Sequence, residues 1–107
     1  MNFLDTYEIQ GDEHIEIEYE NGNICIVKDY FETIKSTKIG SIEVSLEYPE
    51  NMLGIMRILN VKILDELDND IHEENNLIDN SEFYDNESVQ NFVAKFCNVD
   101  VNIVVIV

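Results

Sequence analysis

Residues 13–27, EHIEIEYENGNICIV, decide how the rest of the chain is read. Ile15, Ile17 and Tyr19 alternate with Glu16, Glu18 and Glu20, and successive side chains of a strand point to opposite faces. Asn21-Gly22 then supplies the dipeptide best suited to a two-residue type I′ turn, whose central positions both need positive φ. The stretch predicts a β-hairpin. A two-residue loop sets its register, with Tyr19 opposite Ile24, Ile17 opposite Ile26 and Glu18 opposite Cys25. One face is then apolar and the other carries the glutamates.

Outward from the hairpin, Tyr7 and Ile9 flank Glu8, and Gly11 follows. This reads as a short lead-in, an edge strand ended by a turn. On the other side, residues 28–38 fit two patterns. Asp29 could cap a short helix with Glu32 three residues on. Tyr, Phe, Thr and Ile equally suit a strand, and we read an extended strand running to a turn near Ser36–Lys38. Ile42, Val44, Leu46 and Tyr48 alternate with Ser41, Glu43, Ser45 and Glu47, a half-buried strand that Pro49 ends. Residues 52–64, MLGIMRILNVKIL, are apolar on both sides of an extended chain. They make a poor amphipathic helix and read as a strand covered on both faces, or nearly so.

Residues 65–87 change character: ten of these 23 positions are acidic and none is lysine or arginine. A structureless loop this long is uncommon in a compact domain, and we expect a solvated acidic insertion. Leu67, Ile71, Leu77, Ile78, Phe83 and Tyr84 are expected to dock parts of it on the core. The best helix spans 87–97. Val89, Phe92, Val93 and Phe96 form one stripe, Asp85 or Asn86 caps it, Glu87 and Lys95 suit its dipole, and Asn98 can take the left-handed stop. Val99–Val107 is expected as a final strand, apolar enough that it must lie inside the sheet or be covered by another chain. Together these elements predict one α+β domain over 1–107: an antiparallel sheet of four to six strands with the C-terminal-region helix packed on one face.

The charge is the unusual property. The 107 residues carry 23 acidic and six basic side chains, a formal charge of −17, against a magnitude of about 2–8 for a typical small soluble domain. Such self-repulsion opposes compaction. It suits solubility, salt adaptation or a basic partner drawn in by long-range attraction. The N-terminus lacks the basic and apolar regions of a signal peptide. No window approaches the 18 apolar residues of a membrane span. Cys25 and Cys97 are expected as reduced packing residues of a cytoplasmic protein, in a bacterial host on the Ile- and Asn-rich composition.

No motif for catalysis or a cofactor is present. His14 and His72 have no zinc-ligand spacing, with neither HExxH nor CxxC. Residues 66–70, ELDND, alternate oxygen ligands as a calcium loop does. Ile71, however, stands where that loop needs glycine, and Leu77 where it needs glutamate. His72-Glu73-Glu74 reads as hydrogen-bonded surface. Direct nucleic-acid binding wants the opposite charge. We therefore expect no enzyme, no metal and no cofactor.

The binding candidates are carboxylates. Glu16, Glu18 and Glu20 share the hairpin's polar face, and Glu43 and Glu47 join them if their strand enters the same sheet. At about 6.7 Å along a strand and about 4.8 Å between strands, they make a lattice of negative charge on the scale of a nucleic-acid backbone. Asp65, Glu66, Asp68, Asp70, Glu73 and Glu74 begin a second patch. In size, acidity and lack of motifs the chain is similar to two groups of small bacterial or phage proteins. One is phage-encoded inhibitors of host defence, including anti-CRISPR proteins, some of them DNA mimics. The other is immunity proteins that cover the basic site of a toxic nuclease. The likeness is compositional. It implies a non-enzymatic acidic inhibitor binding a basic, nucleic-acid-binding surface. An immunity protein is the alternative. A third reading is an oligomerisation module, with Val99–Val107 pairing with its copy in a homodimer.

Overall fold

The structure is a computed structural model, described here for residues 15–28, 32–51 and 53–107. The lead-in at 1–12, the Asp29 cap and Met52 lie outside these residues. Strand β1 is Ile15–Glu20 and β2 is Asn23–Lys28. They pair antiparallel with Tyr19 opposite Ile24, Ile17 opposite Ile26 and Glu18 opposite Cys25, as the two-residue turn requires. Asn21 and Gly22 sit at φ 49° and 81°, the left-handed pair that a type I′ turn demands.

Strand β3, Glu32–Glu47, is 16 residues long and organises the sheet. Its first half pairs antiparallel with β2. Its second half pairs antiparallel with β4, Arg57–Asp65. The turn expected near Ser36–Lys38 does not exist, because the chain absorbs the change with a bulge instead. Register shifts between Ile39 and Ser41, and Ile39 and Ile42, three residues apart, both enter the core at 4% and 0% exposure. An extra residue at Gly40 restores the apolar positions to one face, which strict alternation would have split. A second bulge does the same in β4, where Ile58 and Val61 are both buried and Leu59 is left exposed. β4 is therefore covered mainly on one face, not on both. The run of apolar residues reflects the bulge.

After β4 the chain turns back as β5, Asp70–Glu73, antiparallel to β4. A turn of 3₁₀ helix at Asn75–Leu77 follows, and Phe83 forms a two-bonded bridge with Met56 at 2.8 Å each way. The acidic segment is thus structured and buries Ile71, Leu77 and Phe83. Leu67, Ile78 and Tyr84, expected to dock, are exposed.

Helix α1 is Asn86–Cys97, with the Asp85 carboxylate accepting from the Ser88 N–H at 2.7 Å and Asn98 closing it at φ 54°. It buries Val89, Val93, Ala94 and Cys97 against Ile42, Val44, Val61, Ile63 and Ile71, the single-sided core expected of a helix laid on a sheet. Strand β6 is only Val104–Ile106 and runs parallel to β3, on the edge opposite β4. The nine-residue final strand is shortened because Val101–Ile103 coil into 3₁₀ helix, with the Asp100 carboxylate accepting from Asn102 N–H. The Gln90 side-chain amide donates to the Val104 carbonyl at 3.0 Å, tying α1 to the start of β6. Among the described residues the sheet has six strands. Among the described residues, no helix is long and apolar enough to cross a membrane.

Candidate functional site

The register places each acidic candidate. Glu16, Glu18 and Glu20 stand on one face of β1, opposite Val27, Cys25 and Asn23. Glu18 and Glu20 are exposed and Glu16 is half-buried. This face is not all carboxylate, since Cys25 and Val27 on the same side of β2 are buried. The next strand contributes Ser36, whose hydroxyl lies 3.4 Å from the Cys25 sulfur, and Lys38 opposite Asn23.

Glu43 and Glu47 stand in the same sheet as the hairpin's glutamates, on the face away from the core, but beside cations. Glu43 pairs across the ladder with Lys62, and Glu47 with Arg57. Lys62 in turn pairs with Glu73 and lies 3.9 Å from the Asp70 carboxylate. Cross-strand opposite charges stabilise a sheet where like charges would not, so the cations of β4 break up the lattice expected from the glutamates alone. Lys38 likewise reaches Glu66 at 3.6 Å. This ion pair is exposed on both sides and so contributes little energy. Its position matters more, because it puts a cation between the hairpin face and the second acidic patch.

The second group of acids begins at the end of β4. Asp65 ends β4 and builds the turn, its Oδ1 accepting from the Leu67 and Asn69 N–H groups at 2.8 and 2.9 Å. These backbone donors, that of Asn69 first, hold its carboxyl below the ordinary range. From there the chain returns alongside β4 until Phe83 meets Met56. Nine residues of β4 at about 3.3 Å each span roughly 30 Å. Over this path Glu66, Asp68, Asp70, Glu73, Asp79 and Glu82 are exposed, and Asp85 and Glu87 follow beyond Phe83 at the start of α1, eight exposed carboxylates on a segment without lysine or arginine.

Glu74 does not belong to this surface. It is 4% exposed, because Ile71 and Leu77 on either side of it anchor the segment and draw it inward. Its Oε1 accepts from the Tyr19 hydroxyl at 2.6 Å, and its Oε2 from the Asn76 N–H at 3.2 Å. The His72 ring nitrogen Nε2 lies 3.6 Å from Oε1. Burial alone would push this carboxyl up, but His72, Tyr19 and Asn76 together outweigh it and hold the group below its ordinary value. Burial first, then the bond to Glu74, push the Tyr19 hydroxyl up, so it stays a donor. Cys97 beside them is fully buried, and burial pushes its thiol up to about 12, so it stays protonated. Tyr19, His72, Glu74 and Cys97 come from β1, β5, the following turn and α1. They form a part-buried junction between the hairpin, the acidic segment and the helix. Sequence reasoning missed it, since residues 55 apart in the chain leave no local signal of contact.

Among the described residues, no three acidic, histidine or cysteine side chains are grouped to hold a metal ion. A shallow groove on α1 is lined by Phe92, Lys95 and Phe96. No protein-family model matches this chain, and no curated protein and no solved structure matches it.

Proposed function

We propose that this protein is a non-enzymatic acidic inhibitor, acting in the cytoplasm of a bacterial host by docking onto a basic, nucleic-acid-binding surface of another protein. The observation that carries this reading is the strip of eight exposed carboxylates from Glu66 to Glu87. Alongside the roughly 30 Å of β4 its first six acids present one charge per about 5 Å, against about 3.4 Å of helix axis per phosphate of one nucleic-acid strand. The hairpin glutamates are the weaker candidate, because they are only three and Cys25 and Val27 make part of their face apolar. Docking would be steered by long-range attraction and held by carboxylate–arginine and carboxylate–lysine contacts. The target class is a nucleic-acid-binding effector, such as a CRISPR nuclease bound by a phage inhibitor.

The test is competition. A panel of purified nucleases, CRISPR effectors and bacterial toxins among them, is titrated with this protein at several salt concentrations, with and without duplex DNA. Binding that weakens with salt and is displaced by DNA supports the reading. Reversal of Glu66, Asp68, Asp70 and Glu73 to lysine should abolish it, while reversal of Glu18 and Glu20 should weaken it only slightly. Binding that ignores both DNA and the four reversals would overturn the proposal.

A further inference from the structure

Asn21-Gly22 is the one place in the 107 residues where glycine follows asparagine. That pair carries a chemistry of its own. The backbone nitrogen of the following residue can attack the asparagine side-chain carbonyl carbon, and glycine, with no Cβ, leaves the approach open. Asn21 is exposed at the hairpin tip, so water reaches its side-chain amide. The attacking nitrogen, in contrast, is engaged. The Gly22 N–H donates to the Asn98 carbonyl at 3.2 Å, and the Gly22 carbonyl accepts from the Ile39 N–H at 2.9 Å.

Both anchors belong to the body of the fold. Asn98 ends α1 in the left-handed region, its N–H bonded to the Ala94 and Lys95 carbonyls, and the Val99 N–H returns to the Ala94 carbonyl at 3.0 Å. This is the helix stop built on a left-handed residue. Ile39 is buried at the bulge of β3. The nucleophile in the side-chain attack is the deprotonated nitrogen, whereas a carbonyl accepting from the N–H favours the protonated form. The turn also fixes Asn21 and Gly22 at φ 49° and 81°, with Gly22 held at both its N–H and its carbonyl. Ring closure therefore requires the tip to open.

We infer that Asn21 is a self-modification site, and that the bonds from Gly22 to Asn98 and Ile39 hold its reaction back. When they open, the Gly22 nitrogen gives its proton to solvent base and bonds to the Asn21 Cγ. The Cγ–Nδ2 bond breaks, and the side-chain nitrogen takes up a proton and leaves as ammonia. Water then opens the cyclic imide. Cleavage between Cγ and the nitrogen leaves an ordinary aspartyl linkage, and cleavage at the backbone carbonyl leaves an isoaspartyl one. Water is the only co-reactant and nothing is oxidised or reduced. Either product adds a carboxylate next to Glu20, in a chain already at −17. The isoaspartyl product also lengthens the main chain by a methylene inside a turn whose length sets the register of β1 on β2.

The test ages the full chain in warm, mildly alkaline buffer, folded and in guanidinium chloride. Position 21 is followed by peptide mapping with electron-transfer fragmentation, which separates the two products. In denaturant Asn21 should react before the other asparagines. It should also react at least about 10-fold faster than in the folded chain, because reaction through an opened state is slowed by the fraction of time spent closed. Asn98→Ala strains the left-handed stop and should speed the folded reaction, while Asn98→Gly keeps that conformation and should match the wild type. Earlier loss of Asn80, which precedes Ser81, in denaturant overturns the site. Equal rates in the folded and denatured wild type overturn the restraint, whether or not Asn98→Ala folds. So does an Asn98→Ala chain that melts cooperatively yet reacts at the wild-type rate.

Discussion

Gly40 is where β3 passes closest to another backbone, and it makes a quantitative test of the fold. It sits in the bulge between the pairs Ile39–Asp65 and Ser41–Leu64. A Cβ at this position would lie 2.3 Å from the Asp65 carbonyl oxygen, 2.6 Å from its carbon and 2.7 Å from the Glu66 Cα. Ordinary carbon contacts begin near 3.5 Å, and every atom in the way is backbone, so no side chain can swing aside. Gly40→Ala must push β3 and β4 apart by about 1 Å. Overpacking of this kind costs about 1–3 kcal/mol, and each backbone bond loosened beside it about 1 kcal/mol. The stiffer unfolded chain returns about 0.4–1 kcal/mol. A net loss of about 3 kcal/mol follows. At about 4 °C per kcal/mol for a domain near this size, the midpoint of thermal unfolding should fall by roughly 10 °C. Urea and thermal unfolding by far-ultraviolet circular dichroism, at fixed pH and salt, measure it. Gly22→Ala is the comparison, with φ 81° but nothing within 4 Å of the added carbon. It should cost only the left-handed backbone term, about 1–2 kcal/mol. If Gly40→Ala loses less than about 0.5 kcal/mol, or less than Gly22→Ala, the close approach of β3 to Asp65 is refuted.

Two predictions concern the junction of Tyr19, His72, Glu74 and Cys97. Tyr19→Phe removes the donor to Glu74 and should cost about 1.5–3 kcal/mol, the usual range for a hydrogen bond to a charged group. An unchanged urea midpoint would show that the hydroxyl does not join the hairpin to the acidic segment. Glu74 is held below its ordinary value of 4.5, so the folded state binds its proton less readily than the unfolded state does. Its contribution is therefore fully present above pH 4.5 and fades as the pH falls through the lower folded value. The stability gap between wild type and Glu74→Gln should accordingly narrow from pH 6 down to pH 3. A gap that stays constant would mean that Glu74 does not titrate in this range.

Much of this protein was legible without coordinates. The hairpin register, the helix with its Asp85 cap and Asn98 stop, and the strand before Pro49 all depend on neighbours in sequence. So does their sum, a small mostly antiparallel sheet with one helix. The misreadings share a cause. The turn placed at Ser36–Lys38 and the two-faced strand at 52–64 came from taking alternation as unbroken, whereas bulges at Gly40 and Leu59 reset the face. The strand at Val99–Val107 was overextended because β-propensity alone does not show where the Asp100 carboxylate starts a 3₁₀ turn.

The candidate site divides along the same line. By itself, the sequence determined that the chain is strongly acidic, that residues 65–87 hold no lysine or arginine, and which glutamates share the hairpin's polar face. Only the tertiary structure decided which carboxylates stand together. It set Lys62 and Arg57 against Glu43 and Glu47, buried Glu74 under Tyr19, and turned the acidic segment back beside β4. Charge is a property of residues and can be counted. The field it makes depends on distances across strands and on burial, and those follow from how bulges and register bring remote parts of the chain together.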